Sequence, residues 1–162
     1  MKSIVVYYSH SGNTSRIARM YCEQLKQKGE AVLFELEHRD RQRHKIKHLL
    51  ARLMPKLTNL AKMPGDIDKY DVICIGTPVW GGKPAPLAIK FITRLKNLSK
   101  KKVIYFQVYG MEASSEKSTE YTRSLLVKKG CVNIIEDDIS WFDARDEAAL
   151  LERIKESVGK LG

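Results

Sequence analysis

Ser9-His10-Ser11-Gly12-Asn13-Thr14 gathers hydroxyls, an amide, an imidazole and a glycine, directly after the apolar run Ser3–Tyr8. The run reads as a buried strand, and Arg16-Ile17-Ala18-Arg19-Met20 beyond it reads as the start of a helix. A short hydroxyl-rich turn between a strand end and a helix start makes a cradle for phosphate. Backbone N–H groups and side-chain hydroxyls converge there, and the helix N-terminus adds partial positive charge. The turn holds no lysine of the P-loop kind and does not follow G-x-G-x-x-G, so neither a nucleoside-triphosphate loop nor a dinucleotide fingerprint fits. Its donors are neutral, which suits a phosphate monoester. His10 is placed either to hydrogen-bond such a ligand or to stand exposed at the loop tip.

Two further stretches follow strand-like runs. Gly76-Thr77-Pro78-Val79-Trp80-Gly81-Gly82 comes after the run Asp71–Ile75, and Tyr109-Gly110-Met111 comes after Lys102–Val108. Trp80 stands in a glycine-flanked loop, and Tyr109 closes its own strand-like run. Glycines at 81 and 82 reach positive φ at little cost. Trp141 and Phe142 follow a fifth run, placed either to pack near these loops or to serve as structural aromatics.

The elements that must position these loops alternate along the chain. Strands are expected at Ser3–Tyr8, Ala31–Leu36, Asp71–Ile75, Lys102–Val108 and Val132–Asp137. Helices are expected at Thr14–Lys28, Pro86–Lys96, Glu116–Lys129 and Asp146–Val158, with Gly29 and Gly130 where C-caps belong. A βαβαβ alternation implies a parallel sheet with helices on both faces. Ligands of such sheets bind beyond the carboxyl ends of the strands at the topological switch point, and all three loops follow strand ends.

With 162 residues, 43% of them hydrophobic, the chain suits one domain, 1–162, with a full core. It contains no apolar run of the ~20 residues that span a bilayer, and a strand begins almost at the N-terminus, which leaves no visible signal peptide. Cys22, Cys74 and Cys131 lie far apart and read as reduced, buried thiols, pointing to the cytoplasm. The formal charge is +10, and most of it falls in residues 38–62, which hold eight lysines and arginines and one acid, Asp40. Within that basic, insertion-like segment, Ile46, Leu49, Leu50, Leu53, Met54, Leu57 and Leu60 recur at helical spacing around Pro55. It reads as a helix covering the sheet, its polar face free to meet an acidic protein or an anionic membrane surface. His44 and His48 stand one helical turn apart, but no carboxylate or cysteine joins them as a metal set. Nucleic acid is not favoured, since the charge comes without a recognition motif.

Taken together, these residues resemble the flavodoxin-like family in its short-chain form. Ser9–Thr14 matches that family's [Ser/Thr]-x-[Ser/Thr]-Gly-x-Thr loop, and Ile75–Gly82 with Pro84-Ala85-Pro86-Leu87 is similar to its second flavin loop and following helix. The resemblance implies a three-layer α/β/α sandwich with a five-stranded parallel sheet of order 2-1-3-4-5. It implies FMN as the cofactor, with Ser9, His10, Ser11, Gly12, Asn13 and Thr14 around the phosphate. Thr77, Pro78, Val79, Trp80, Gly81 and Gly82 would lie on one side of the isoalloxazine and Tyr109, Gly110 and Met111 on the other. The implied function is electron transfer between redox partner proteins, for which no protein acid or base is needed. An FMN-dependent NAD(P)H:quinone-type oxidoreductase and a non-redox binding module are the alternatives. The basic segment departs from the acidic character of the family's carriers. It implies a partner with an acidic surface and, if it lies near the flavin, a less negative second one-electron potential.

Overall fold

The computed structural model describes residues 1–39 and 60–162. Five parallel strands form the sheet: β1 (Lys2–Tyr7), β2 (Glu30–Glu35), β3 (Val72–Trp80), β5 (Lys102–Tyr109) and β6 (Asn133–Ser140). A sixth, the two-residue β4 (Lys83–Pro84), pairs antiparallel with the end of β3. The order is β2-β1-β3-β5-β6. The five parallel strands therefore follow the expected 2-1-3-4-5 order, and β4 corrects the strand count from five to six.

The alternation of side chains explains the three layers. From β1, Val5 and Tyr7 point to one face, where Cys74, Phe106 and Ile139 of other strands join them. That face is covered by Ile17, Tyr21 and Leu25 of α1 (Asn13–Lys26) and Leu150 and Ile154 of α4 (Glu147–Gly159). Ile4, Val6, Ile73, Ile75, Val103 and Tyr105 point to the other face. There they meet Leu87, Phe91 and Ile92 of α2 (Pro86–Arg94) and Leu126 of α3 (Glu112–Lys128). Both faces are apolar because both are covered, the usual pattern of a parallel sheet. Leu60, Met63, Ile67 and Tyr70 belong to the second core and lead the chain into β3.

α3 differs from the other helices. Its buried residues are Ser115, Ser118, Thr119, Thr122 and Leu126, so hydroxyls face the sheet where bulky apolar groups would be expected. Two of them, Ser115 and Thr119, are fastened by hydrogen bonds to Gln107 of β5. Tyr105 Oη donates to Gln107 Oε1 (2.9 Å), and Gln107 Nε2 donates to Ser115 Oγ (2.9 Å) and Thr119 Oγ1 (2.6 Å). Thr119 Oγ1 in turn donates to the Asp138 carboxylate (2.9 Å) of β6. A buried amide satisfied on both ends joins β5, α3 and β6 without a buried unpaired charge.

Several element ends differ from the sequence reading. β3 runs to Trp80, β6 to Ser140, and α3 begins at Glu112 rather than at residue 116. Cys22, Cys74 and Cys131 are free and buried, as expected, and burial raises all three thiol pKa values. Among the described residues no helix is long and apolar enough to cross a membrane. The helical reading of residues 45–62, with Pro55, His44 and His48, falls almost entirely outside the described residues.

Candidate functional site

Register brings the three sequence-predicted stretches to one edge of the sheet. Tyr7 lies across from Gly76, Pro78 across from Val108, and Tyr109 across from Ser140. The chain therefore leaves β1, β3, β5 and β6 at neighbouring points, the carboxyl-end edge where open α/β sheets bind ligands.

At the first exit, Ser9 Oγ accepts the Gly12 N–H (3.1 Å) and curls the loop back on itself. Gly12 is the N-cap of α1 in a left-handed conformation (φ 93°, ψ −20°), a position that suits glycine. Its carbonyl accepts the Arg16 N–H (3.0 Å) and starts the helix. No side chain caps this end, and its first turn holds no acidic residue. Neither Asn13 nor Thr14 plays the capping role that an ordinary strand-to-helix turn would give it. The first amides of α1 are left to an outside acceptor, and the dipole favours an anion there. Thr14 is buried, while His10, Ser11, Gly12 and Asn13 are exposed. The Arg16 guanidinium is turned away, donating to the Ala144 carbonyl.

The second exit is a hairpin rather than the loop that the sequence suggested. Val79 pairs with Pro84 and Trp80 with Lys83, leaving Gly81 (φ 59°) and Gly82 (φ 75°) as a two-residue turn. Two consecutive positive φ angles are what a type I′ hairpin requires, and glycine meets that need without strain. Thr77 is fully buried and acts as a clasp: its Oγ1 accepts the Ala85 N–H (3.0 Å) and donates to the Pro78 carbonyl (3.1 Å). Its hydroxyl holds the hairpin closed. Pro78, Val79 and Trp80 are half-buried. The Trp80 indole meets Tyr8 edge-on (5.7 Å, 86°) and His10 edge-on (6.0 Å, 88°), which ties the hairpin to the first loop. Tyr8 also meets His38 edge-on (5.8 Å, 85°). Burial, with the Glu35 charge, pushes the Tyr8 phenol up to about 12.

At the third exit, Tyr109 is half-buried, Gly110 is exposed, and Met111 is 70% exposed. Burial raises the Tyr109 phenol pKa, the carboxylates Glu112, Asp143 and Asp138 raise it further, and Arg153 opposes them. This side of the site is acidic, although the chain as a whole is strongly basic. Trp141, for which the sequence allowed either a structural role or packing near the site, stands here too. It is 56% exposed, and its ring lies against Gly110. Phe142 is 76% exposed, with the Arg145 guanidinium 5.8 Å from its ring centre. Their place after the fifth strand-like run was the signal that allowed packing near the site. The basic segment lies almost wholly outside the described residues, and among these no cluster of three metal-ligating side chains occurs.

Known proteins agree with this architecture. Oxidised flavodoxin 2 of Bacillus cereus superposes with a TM-score of 0.64 at 22% identity, covering all of both chains. Oxidised flavodoxin 1 of the same organism gives 0.65 at 16% identity, again over both full lengths. A Lactobacillus acidophilus flavoprotein solved in complex with FMN gives 0.59 at 20% identity, over 85% of this chain and 92% of its own. At such identities the likeness is one of fold. No curated protein matches the chain. Residues 43–133, more than half of the sequence, match the flavodoxin domain model, and the chain belongs to that family.

Proposed function

We propose that this chain binds FMN non-covalently at the carboxyl-end edge of its sheet and carries electrons between redox partner proteins in the cytoplasm. The observation that carries the reading is the uncapped, acid-free start of α1 held within one aromatic contact of the half-buried Trp80. A phosphate monoester fits the first feature and a flat ring system fits the second, so one ligand with both parts satisfies the two together. Family membership supports the reading, as does the FMN complex of the Lactobacillus acidophilus neighbour.

In this reading Ser9, His10, Ser11, Gly12, Asn13 and Thr14 hold the phosphate through N–H groups and hydroxyls. The hairpin from Pro78 to Gly82 lines one side of the isoalloxazine, with Thr77 as its clasp, and Tyr109, Gly110 and Met111 line the other. The bound FMN supplies reversible uptake of one or two electrons. The protein positions it, excludes water from its inner edge and sets the surrounding charge. The carboxylates near Tyr109 disfavour added negative charge on that side, whereas the basic residues of 38–62 favour it and suit a partner with an acidic surface.

The test is uptake of FMN through a desalting step, followed by stepwise anaerobic reduction. Retained flavin that accepts its electrons in two separate stages supports the carrier; absence of flavin after desalting refutes the reading. One observation favours a second reading. Met111, Trp141 and Phe142 leave large apolar surface open beside the site, as a second-substrate pocket would. An FMN-dependent NAD(P)H:quinone oxidoreductase would reduce a quinone with NAD(P)H and no other protein, and would take up both electrons in a single stage.

A further inference from the structure

The chain has two tryptophans. Trp80 is half-buried within the aromatic contacts of the hairpin, while Trp141 is more than half exposed. Exposure would suggest a side chain without duties, yet Trp141 is fixed twice to the third loop. Its backbone N–H donates to the Tyr109 carbonyl (3.0 Å). Its indole covers Gly110, and a Cβ placed on that glycine would stand 3.4 to 3.5 Å from three atoms of the six-membered ring. Gly110 has no left-handed φ, so its backbone conformation alone does not call for glycine. A Cβ there would meet the indole at ordinary van der Waals distance, so it is the contact, not a need for glycine, that marks the ring's seat.

The third loop is otherwise lightly held. Gly110 and Met111 are exposed, and the nearest buried fastening is the Gln107 network, which anchors the first turns of α3 to β5 from beneath. Just beyond Trp141 the chain turns away, since Ser140 Oγ accepts the Asp143 N–H (3.0 Å) and a short 3-10 turn, Asp143–Arg145, begins. The indole thus presses on the loop from outside while Gln107 holds its continuation from inside.

We infer that Trp141 is a positioning residue for the cofactor: seated on Gly110, it holds Tyr109–Met111 in the conformation that receives the isoalloxazine. The inference rests on the FMN reading given above. Apoprotein of the wild type, W141A, W141F, G110V and the double variant W141A/G110V is titrated with FMN, with the thermal midpoint of each apoprotein and the visible circular dichroism of each bound flavin recorded alongside.

W141A is expected to raise the FMN dissociation constant about tenfold and to change the flavin dichroism. It should leave the apoprotein midpoint in place, because more than half of the ring is already in water. W141F, which keeps a ring on Gly110, restores most of the affinity. G110V puts a branched side chain where the indole sits, so it should weaken binding more in the wild-type background than in the W141A background. A contact demands that non-additivity.

Wild-type affinity and dichroism in W141A overturn the inference, as do additive effects of the two substitutions. A midpoint that falls in step with affinity also overturns it, because the ring would then be ordinary packing. Wild-type protein that takes up no FMN overturns the FMN reading and this inference with it, whereas FMN uptake indifferent to Trp141 overturns the inference alone.

Discussion

The hairpin of β3 and β4 and the loop of Tyr109–Met111 flank the same edge of the sheet, but they are held by different means. The hairpin is closed by its own backbone, by two glycines at positive φ and by the Thr77 clasp, and Lys83 rests over the Tyr121 ring of α3 (5.5 Å). Its indole is half-buried against Tyr8 and His10. The opposite loop is exposed, acid-flanked and covered from outside by a largely solvated indole. One wall is therefore a continuation of the core, and the other is a surface feature. Substitutions in the first should change stability and ligand affinity together, while substitutions in the second should change affinity alone.

The largest effect is expected at the base of the hairpin. A Cβ on Gly76 would stand 2.1 Å from the Phe106 ring, which is itself stacked on Tyr21 (4.8 Å, 17°) and cannot swing aside. Gly76→Ala should cost about 3 kcal/mol, at the upper end of overpacking penalties, and FMN affinity should fall with it. Urea unfolding of the apoprotein measures the first and flavin titration the second. Unchanged stability would break the claim that this wall belongs to the core.

Gly81→Ala combined with Gly82→Ala comes next. A methyl at either position meets nothing closer than Lys117 at 3.5 Å, so the strain is in the backbone alone. Left-handed φ costs an L-residue roughly 1–2 kcal/mol, and the pair should lose about 2 kcal/mol of stability together with most of the FMN affinity. Unfolding midpoints that do not move would show the turn to be soft.

The sequence made this division only half visible. The alternation of strands and helices was legible in the apolar runs and helical faces, whereas the strand order was carried by the resemblance to the flavodoxin-like family. The hairpin was read as a loop; Pro78, with no N–H for a ladder, carries no strand signal of its own. In the fold that N–H is not needed on the β1 side, where the pairing ends at Tyr7 and Gly76. The end of β6 was missed because of charge. Glu136, Asp137 and Asp138 look like the close of a strand, yet Arg123 pairs with Glu136 and Arg153 with Asp137, and the strand continues. The start of α3 was hidden by a sheet-facing stripe of serines and threonines, which carries no apolar period to read. At the site, the residue types of 9–14 pointed to a phosphate loop, and the uncapped, acid-free start of α1 fits that reading. For Trp141 the sequence allowed a place near the site but not its contacts with Tyr109 and Gly110, which depend on a register that no local pattern encodes.

Alkaline titration sharpens the comparison further. Burial holds the Tyr8 phenol neutral up to about 12. Tyr109 is also raised from its ordinary value, but it has the more open side chain. A folded state that keeps a proton the unfolded state has lost is destabilised as pH rises. The Tyr8 contribution should therefore be complete below about pH 10 and lost progressively as pH climbs towards its folded value. Tyr8→Phe should flatten the fall of stability with pH by roughly 1 kcal/mol, a figure reduced for partial solvent screening. Tyr109→Phe should flatten it less. Tyrosinate absorbance of the two variants gives the order of ionisation; Tyr8 ionising before Tyr109 would reverse the assignment of inner and outer wall.

The smallest effects on stability belong to the outer wall, and their smallness is the point. Met111 and Phe142 are 70% and 76% exposed, so truncation removes little contact from the folded state. Met111→Ala and Phe142→Ala should each move the unfolding free energy by no more than about 0.5 kcal/mol, the usual range for surface substitutions. If these side chains bound only water, electron exchange with a protein partner would also be unchanged. If the outer wall is where a partner or a second substrate meets the flavin, exchange slows while the unfolding curve stays where it was. Stopped-flow reduction at fixed ionic strength separates the two outcomes. A drop in stability of 2 kcal/mol or more from either variant would place these residues in the core and erase the distinction between the walls.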